Sequence, residues 1–157
     1  METEKILKLL KEHKVVFIII GATAFPVHGY SRATLDVDIF IKRERKNAEK
    51  TMNALKAFGY DMSDVTVDEI LNKKLLIRQY TTEIDIHPFV KGATFETVWK
   101  NRVKAKIGNT FVWFVSLKDL IRMKRAAGRA KDLEDLKYLL KLKKGQPSWY
   151  FHALRSI

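Results

Sequence analysis

The spacing of apolar residues changes several times along the 157-residue chain, and each period predicts an element. Ile6, Leu7 and Leu10 form a helical stripe, so the spacing predicts a helix to about His13 with Thr3 as its cap. Val15 to Ile20 is apolar throughout and mostly β-branched, the pattern of a strand buried on both faces, and Gly21 ends it. The stretch 22–28 predicts a short helix with Pro26 near its first turn, where proline is tolerated. Alternation over 35–42 predicts a second strand. Ala48, Met52, Leu55 and Phe58 then recur at helical spacing, with Gly59 as the stop. Residues 74–80 predict a third strand, and Glu83-Ile84-Asp85-Ile86-His87 a fourth, ended by Pro88. Residues 110–115 predict a fifth. Ser116 caps a helix running to about Ala127, closed by Gly128, and Leu133, Leu136 and Leu140 mark a last helix. The expected fold is α/β or α+β: a mixed sheet of about five strands with helices packed against it. No repeat, low-complexity tract or long linker interrupts the chain, so residues 1–157 are expected to form one domain with a basic helical part over about 116–145.

Composition narrows the chemistry. There is no cysteine, which excludes disulfides, thiolate metal sites and cysteine nucleophiles. The longest apolar run, Val15 to Ile20, is far too short to cross a bilayer. The opening Met1-Glu2-Thr3-Glu4-Lys5 is acidic and unlike a signal peptide, so a cytoplasmic location is expected. The net charge of +12 is unevenly spread. Residues 100–144 carry 14 Lys/Arg against four acids, whereas residues 1–99 carry 15 against 14, and Arg155 adds the last unit. A basic C-terminal third suggests a polyanionic ligand such as a nucleoside triphosphate or RNA. The competing reading is a lysine-rich solvated surface of the kind found in heat-adapted proteins.

The candidate chemistry lies in Asp36-Val37-Asp38. In a strand these two carboxylates share a face, about 7 Å apart, while Val37, Ile39 and Ile41 face a core. Side-by-side acids repel, and the arrangement makes sense around a divalent cation: Mg²⁺ is typically held by one or two carboxylates and the phosphates of a substrate. Asp85 alternates in the same sense on another strand. Were that strand a neighbour, Asp36, Asp38 and Asp85 would converge and hold two metal ions about 3.5–4 Å apart, the clamp used for in-line displacement at phosphorus. Alone, Asp85 would read as a strand residue facing water. The Gly21-Ala22-Thr23 turn opens a helix and offers backbone N–H groups to phosphate. Arg32 and Thr34 add a charge and a hydroxyl beside the acids, although Arg32 is as readily read as a bridge to a nearby acid. Lys124 shares a helical stripe with Leu117, Leu120 and Ile121, so a cation lies on a face that should be buried. It needs an anion, either a protein carboxylate or a ligand phosphate. Arg129 and Lys131 read as local partners of Asp132 and Asp135. His28 reads as structural, His87 faces the side of Asp85 without an assigned role, and Trp99, Trp113 and Trp149 read as packing residues.

Strand, Gly21-Ala22, helix, His28-Gly29, Arg32, Thr34, Asp36 and Asp38, then a later hydrophobic-Asp85-hydrophobic, resembles the nucleotidyltransferase fold shared with DNA polymerase beta. Within it the chain is most similar to the small nucleotidyltransferases related to abortive-infection toxins. The segment from Ser116 to Lys124 and on through Gly128-Arg129 to Asp132 and Asp135 resembles their basic tail, so the likeness covers roughly residues 15–140. It implies Mg²⁺-dependent transfer of a nucleoside monophosphate from ATP or another NTP to an acceptor hydroxyl, with release of pyrophosphate. It also implies that Asp36 and Asp38 bind both metal ions and Asp85 the one that activates the acceptor. The chain departs from the family at Ala22, where a serine hydroxyl would touch the triphosphate; Thr23 is the nearest substitute. Gly21, Ala22, Thr23, Arg32, Thr34 and Lys124 are the expected nucleotide-binding residues. The basic third favours RNA, such as a tRNA end, as acceptor, and a second subunit or partner protein is expected to complete the acceptor site. The alternative is a catalytically silent nucleotide- or RNA-binding module of the same fold acting with a partner protein.

Overall fold

Six strands and six α-helices follow one another in a computed structural model that describes residues 2–32, 34 and 36–145, all counts referring to those residues. Trp149 and Arg155 lie outside the described residues. Helix α1 spans Glu2–Glu12 and buries Ile6, Leu7 and Leu10, the stripe its sequence spacing predicts. Thr3 lies inside this helix rather than at its cap. Strand β1, Phe17–Ile20, is buried at all four positions. Strand β2, Asp36–Ile41, begins at the first acid. Helix α2, Arg45–Phe58, buries Ala48, Met52 and Leu55 and ends at Gly59 in the left-handed conformation.

Among the described residues the strands form one mixed sheet in the order β3-β4-β2-β1-β6-β5, with β3 at Leu75–Ile77, β4 at Glu83–His87, β5 at Val103–Ile107 and β6 at Thr110–Phe114. β1 pairs antiparallel with β2, and β2 pairs parallel with β4. The parallel pair is joined through α2, a short helix α3 (Val67–Asn72) and β3, the length of crossover that parallel neighbours require. Helix α4, Phe95–Lys100, lies on the face that carries the acids: Phe95 meets Phe40, two residues beyond Asp38, edge to face at 5.2 Å. Helices α5 (Leu117–Ala127) and α6 (Ala130–Gly145) form a hairpin turned at Gly128.

The sequence spacing undercounts the elements. The sheet has six strands instead of five, because Val103-Lys104-Ala105-Lys106-Ile107 alternates and returns through Gly108-Asn109 into β6. Helix α3 carries a complete capping box between Thr66 and Glu69, and α4 is capped by Thr94; both are too short for a clear hydrophobic period. The predicted helix over 22–28 is two 3₁₀ turns, Gly21–Ala24 and Pro26–His28, since Pro26 has no N–H with which to continue a ladder. Leu133 is 48% exposed, so α6 does not bury Leu133, Leu136 and Leu140 as one stripe. Its buried face is Asp132, Asp135, Leu136 and Leu139, a helical period in which two acids take apolar places.

Candidate active site

The parallel register sets Asp38 directly opposite Asp85 and Asp36 opposite Glu83. Because β2 and β4 alternate in phase, Asp36, Asp38, Glu83, Asp85 and His87 share one face of the sheet. His87 donates from Nε2 to Asp38 Oδ1 at 2.8 Å. Oxygens of Asp38 and Asp85 and a ring nitrogen of His87 lie within 4.8 Å of one another. Asp36 stands at the rim of this group, where the Thr34 hydroxyl donates to its Oδ1 at 3.2 Å.

Charge is distributed unequally among the acids. Burial raises the Asp85 carboxyl, the neighbouring Asp38 charge raises it further, and Arg78 and Lys74 offset only part of this, leaving it above its ordinary value. Burial also acts to raise Asp36, but hydrogen bonds from Asp85 and Thr34 and the charge of Arg78 prevail, and its carboxyl is held low. Arg78 follows β3 and reaches into the cluster: Nη1 lies 2.6 Å from Asp85 Oδ1, Nε 3.3 Å from Glu83 and Nη2 4.0 Å from Asp36. Lys74 Nζ is 3.6 Å from Asp85 Oδ2. Asp85 Oδ1 is buried and, despite the nearby guanidinium, has no hydrogen bond of good geometry among the described residues. A hard oxygen and imidazole donor set whose buried carboxylate oxygen is met by a positive charge fits a divalent cation of the Mg²⁺ or Mn²⁺ kind.

The turn after β1 closes over this cluster. Gly21 has φ +67°, and a Cβ there would stand 2.5 Å from Asp38 Oδ2, so only glycine leaves room for the carboxylate. Ala22 is buried, and the Thr23 hydroxyl donates to the Asp36 carbonyl at 3.3 Å, tying the turn to β2. Phe25 continues the tie. Its ring stacks on Tyr30 at 5.1 Å, Tyr30 stacks on Tyr138 of α6 at 4.9 Å, and the cationic groups of Arg32 and Lys124 lie 5.4 and 5.3 Å from the Phe25 ring centre.

Arg32 and Lys124 meet through the acids of α6. Arg32 donates from Nε and Nη2 to the two oxygens of Asp135 at 2.9 and 3.0 Å. Lys124 Nζ lies 3.2 Å from Asp132 and 3.3 Å from Asp135. The buried lysine therefore finds its anions within the protein, the first of the two possibilities its position raises. Arg129 donates from Nε to Asp132 at 2.6 Å, and that bond, with the Asp132, Asp38 and Asp135 charges, raises its pKa. Burial opposes ionisation of Asp132, but Arg129 and Lys124 overcome it and hold the carboxyl down at about 2.

Asp36, Asp38 and Asp85 thus lie together with Gly21 and Thr34 beside them, while Arg32 and Lys124 form a second cluster on Asp135. His87, Arg78 and Lys74 are the additions that sequence reasoning left without a role. The period of two from Asp85 was the available signal for His87, whereas nothing local distinguishes Arg78 from other surface arginines. His28 is buried, with Nε2 2.8 Å from the Val115 carbonyl, in keeping with a structural role. Trp99 and Trp113 meet edge to face, and both rings pack on the Arg102 guanidinium, at 4.1 and 4.3 Å. Among the described residues no helix is long and apolar enough to cross a membrane.

No curated protein matches the chain. Residues 2–142, nearly all of it, match the family described as "Nucleotidyltransferase of unknown function (DUF6036)". Paired strand acids under a glycine turn suit that chemistry, which takes a nucleoside triphosphate as substrate, and the chain belongs to the DUF6036 nucleotidyltransferases.

Proposed function

We propose that the protein transfers a nucleoside monophosphate from ATP or another NTP to an acceptor hydroxyl and releases pyrophosphate, in the manner of the polymerase beta superfamily and its abortive-infection toxin branch. The observation that carries this reading is the in-register pairing of Asp38 with Asp85 beneath the Gly21 turn. Asp36, Asp38 and Asp85 would hold Mg²⁺, with two ions expected. When bound, the metal neutralises triphosphate charge and lowers the pKa of the acceptor hydroxyl. His87 orients Asp38 through its 2.8 Å hydrogen bond. Gly21, Ala22 and Thr23 supply the phosphate turn, Ala22 without the serine hydroxyl of the related enzymes. Thr34 fixes Asp36. Arg32 and Lys124 hold the turn through Asp135 and the Phe25 ring, and would act on the triphosphate from that second cluster.

An acceptor site completed by a second subunit or a partner protein is part of this reading. The charge of residues 100–144 favours RNA as acceptor over a small molecule. The second reading, a silent binding module of the same fold, is favoured only by Ala22.

Calorimetric titration of each NTP with Mg²⁺, on the parent and on Asp38→Asn, tests the reading. Metal-dependent binding in the parent, lost in the variant, is expected. Binding that ignores both metal and variant would leave the module, and no NTP binding at all would overturn the transferase site.

A further inference from the structure

Four carboxylates on one sheet face, Asp36, Asp38, Glu83 and Asp85, meet two cations from the β3 side, Lys74 and Arg78. Arg78 alone touches three of the four. It lies just past the last residue of a three-residue edge strand, and its side chain is 39% exposed, so the guanidinium can leave the acids without unpacking the core. Asp85 itself is 3% exposed and cannot turn to bulk water for compensation. A buried carboxylate of this kind needs a positive partner, and the space beside Asp85 Oδ1 takes either the guanidinium or a metal ion.

We propose that Arg78 is the internal counterion of the acid cluster, exchanged for the metal only when a triphosphate arrives to receive the displaced guanidinium. The proposal rests on the metal-dependent reading above and adds a residue and an order of events to it. Without nucleotide, Arg78 competes with metal for Asp85, so the free cation binds weakly. With nucleotide, the released guanidinium has phosphate oxygens to meet, for which its planar donor fork is well suited. Metal and triphosphate therefore bind cooperatively, and by linkage each strengthens the other equally. His87 remains on Asp38 throughout and takes no part in the exchange.

The substitution Arg78→Gln separates this from a structural role because its two effects have opposite sign. Mn²⁺ alone, followed by loss of its free-ion paramagnetic resonance signal, is expected to bind Arg78→Gln about tenfold or more tighter than the parent, the scale on which a cation within 4–6 Å biases a carboxylate. In calorimetry, NTP affinity in the presence of Mn²⁺ is expected to fall in the same variant. Lys74→Gln, further from Asp85, serves as the control and moves metal affinity less; an equal or larger effect there would overturn the assignment to Arg78. Equal Mn²⁺ affinity in parent and Arg78→Gln, with normal NTP binding, overturns the counterion while leaving the metal site standing. Loss of both affinities in a folded Arg78→Gln, checked by circular dichroism, also overturns it. Absence of Mn²⁺ binding in every protein, with NTP present or not, would instead mark failure of the metal reading itself and take the proposal with it.

Discussion

Gly21 answers two separate demands with one residue. Its φ of +67° lies where an L side chain costs about 1–2 kcal/mol, and the space a Cβ would fill is already held by Asp38 Oδ2. Gly21→Ala therefore cannot relax by a backbone adjustment alone, because relief of the clash moves the carboxylate opposite Asp85. The expected result is a thermal destabilisation of about 1–2 kcal/mol together with loss of metal-dependent NTP binding, read by melting curves and calorimetry on the same preparation. A variant that melts lower yet binds normally would show that Asp38 is positioned by β2 alone.

At the scale of elements, α5 and α6 are joined by ion pairs where an ordinary helix hairpin would use apolar side chains. Lys124 lies between Asp132 and Asp135, and Arg129 and Arg32 close the two ends. The sign of the resulting pH dependence follows from Asp132, whose folded value of about 2 lies below the ordinary 3.8. Its contribution is fully present above about pH 4 and is lost as pH falls towards 2. The shift corresponds to at most about 2 kcal/mol, reduced to about 1–2 because Arg129 is largely exposed and screened. In denaturant unfolding, Asp132→Asn is expected to lose about that much at neutral pH and to show a flatter profile below pH 4. This hairpin also marks the limit of what periodicity discloses. Lys124 on an apolar stripe signals a buried cation, but the same reasoning assigns Leu133 to the core, because it does not anticipate that Asp132 and Asp135 occupy the buried face. The strands with clean alternation, β2 and β4, are legible almost to the residue. The pairing of Asp38 with Asp85 is not, since parallel register depends on the crossover between them and leaves no local trace.

For the whole molecule, the asymmetry of charge and the order of the sheet belong together. The acids occupy one half of the sheet, on β2 and β4, and the basic hairpin β5-β6 closes the other end. Lys104 and Lys106 are exposed on β5, each over the Phe111 ring at 4.6 and 4.7 Å. If the basic third serves an RNA acceptor, reversing both charges in Lys104→Glu/Lys106→Glu lowers affinity for a single-stranded RNA oligonucleotide about tenfold in low salt. It also flattens the salt dependence by about one unit of slope. Metal-dependent NTP binding, at the far side of the sheet, stays unchanged. Equal RNA binding by parent and variant would return this region to the reading of a solvated lysine-rich surface. Composition alone could not separate these readings, because it counts cations without saying which edge they line.

The two outer strands of the sheet carry a further consequence. On β5 the lysines alternate with buried Val103 and Ala105, and at the opposite margin Lys74 and Arg78 bracket Leu76, which is 54% exposed. Unpaired strand margins invite another chain to zip on, and cations set along them make two copies repel before they can align. Part of the excess positive charge thus guards against self-association, independently of any ligand. Arg78 joins the two roles by position: the guanidinium that neutralises the acids is also a hydrated polar group on a short, leucine-centred margin, which an incoming strand would have to desolvate.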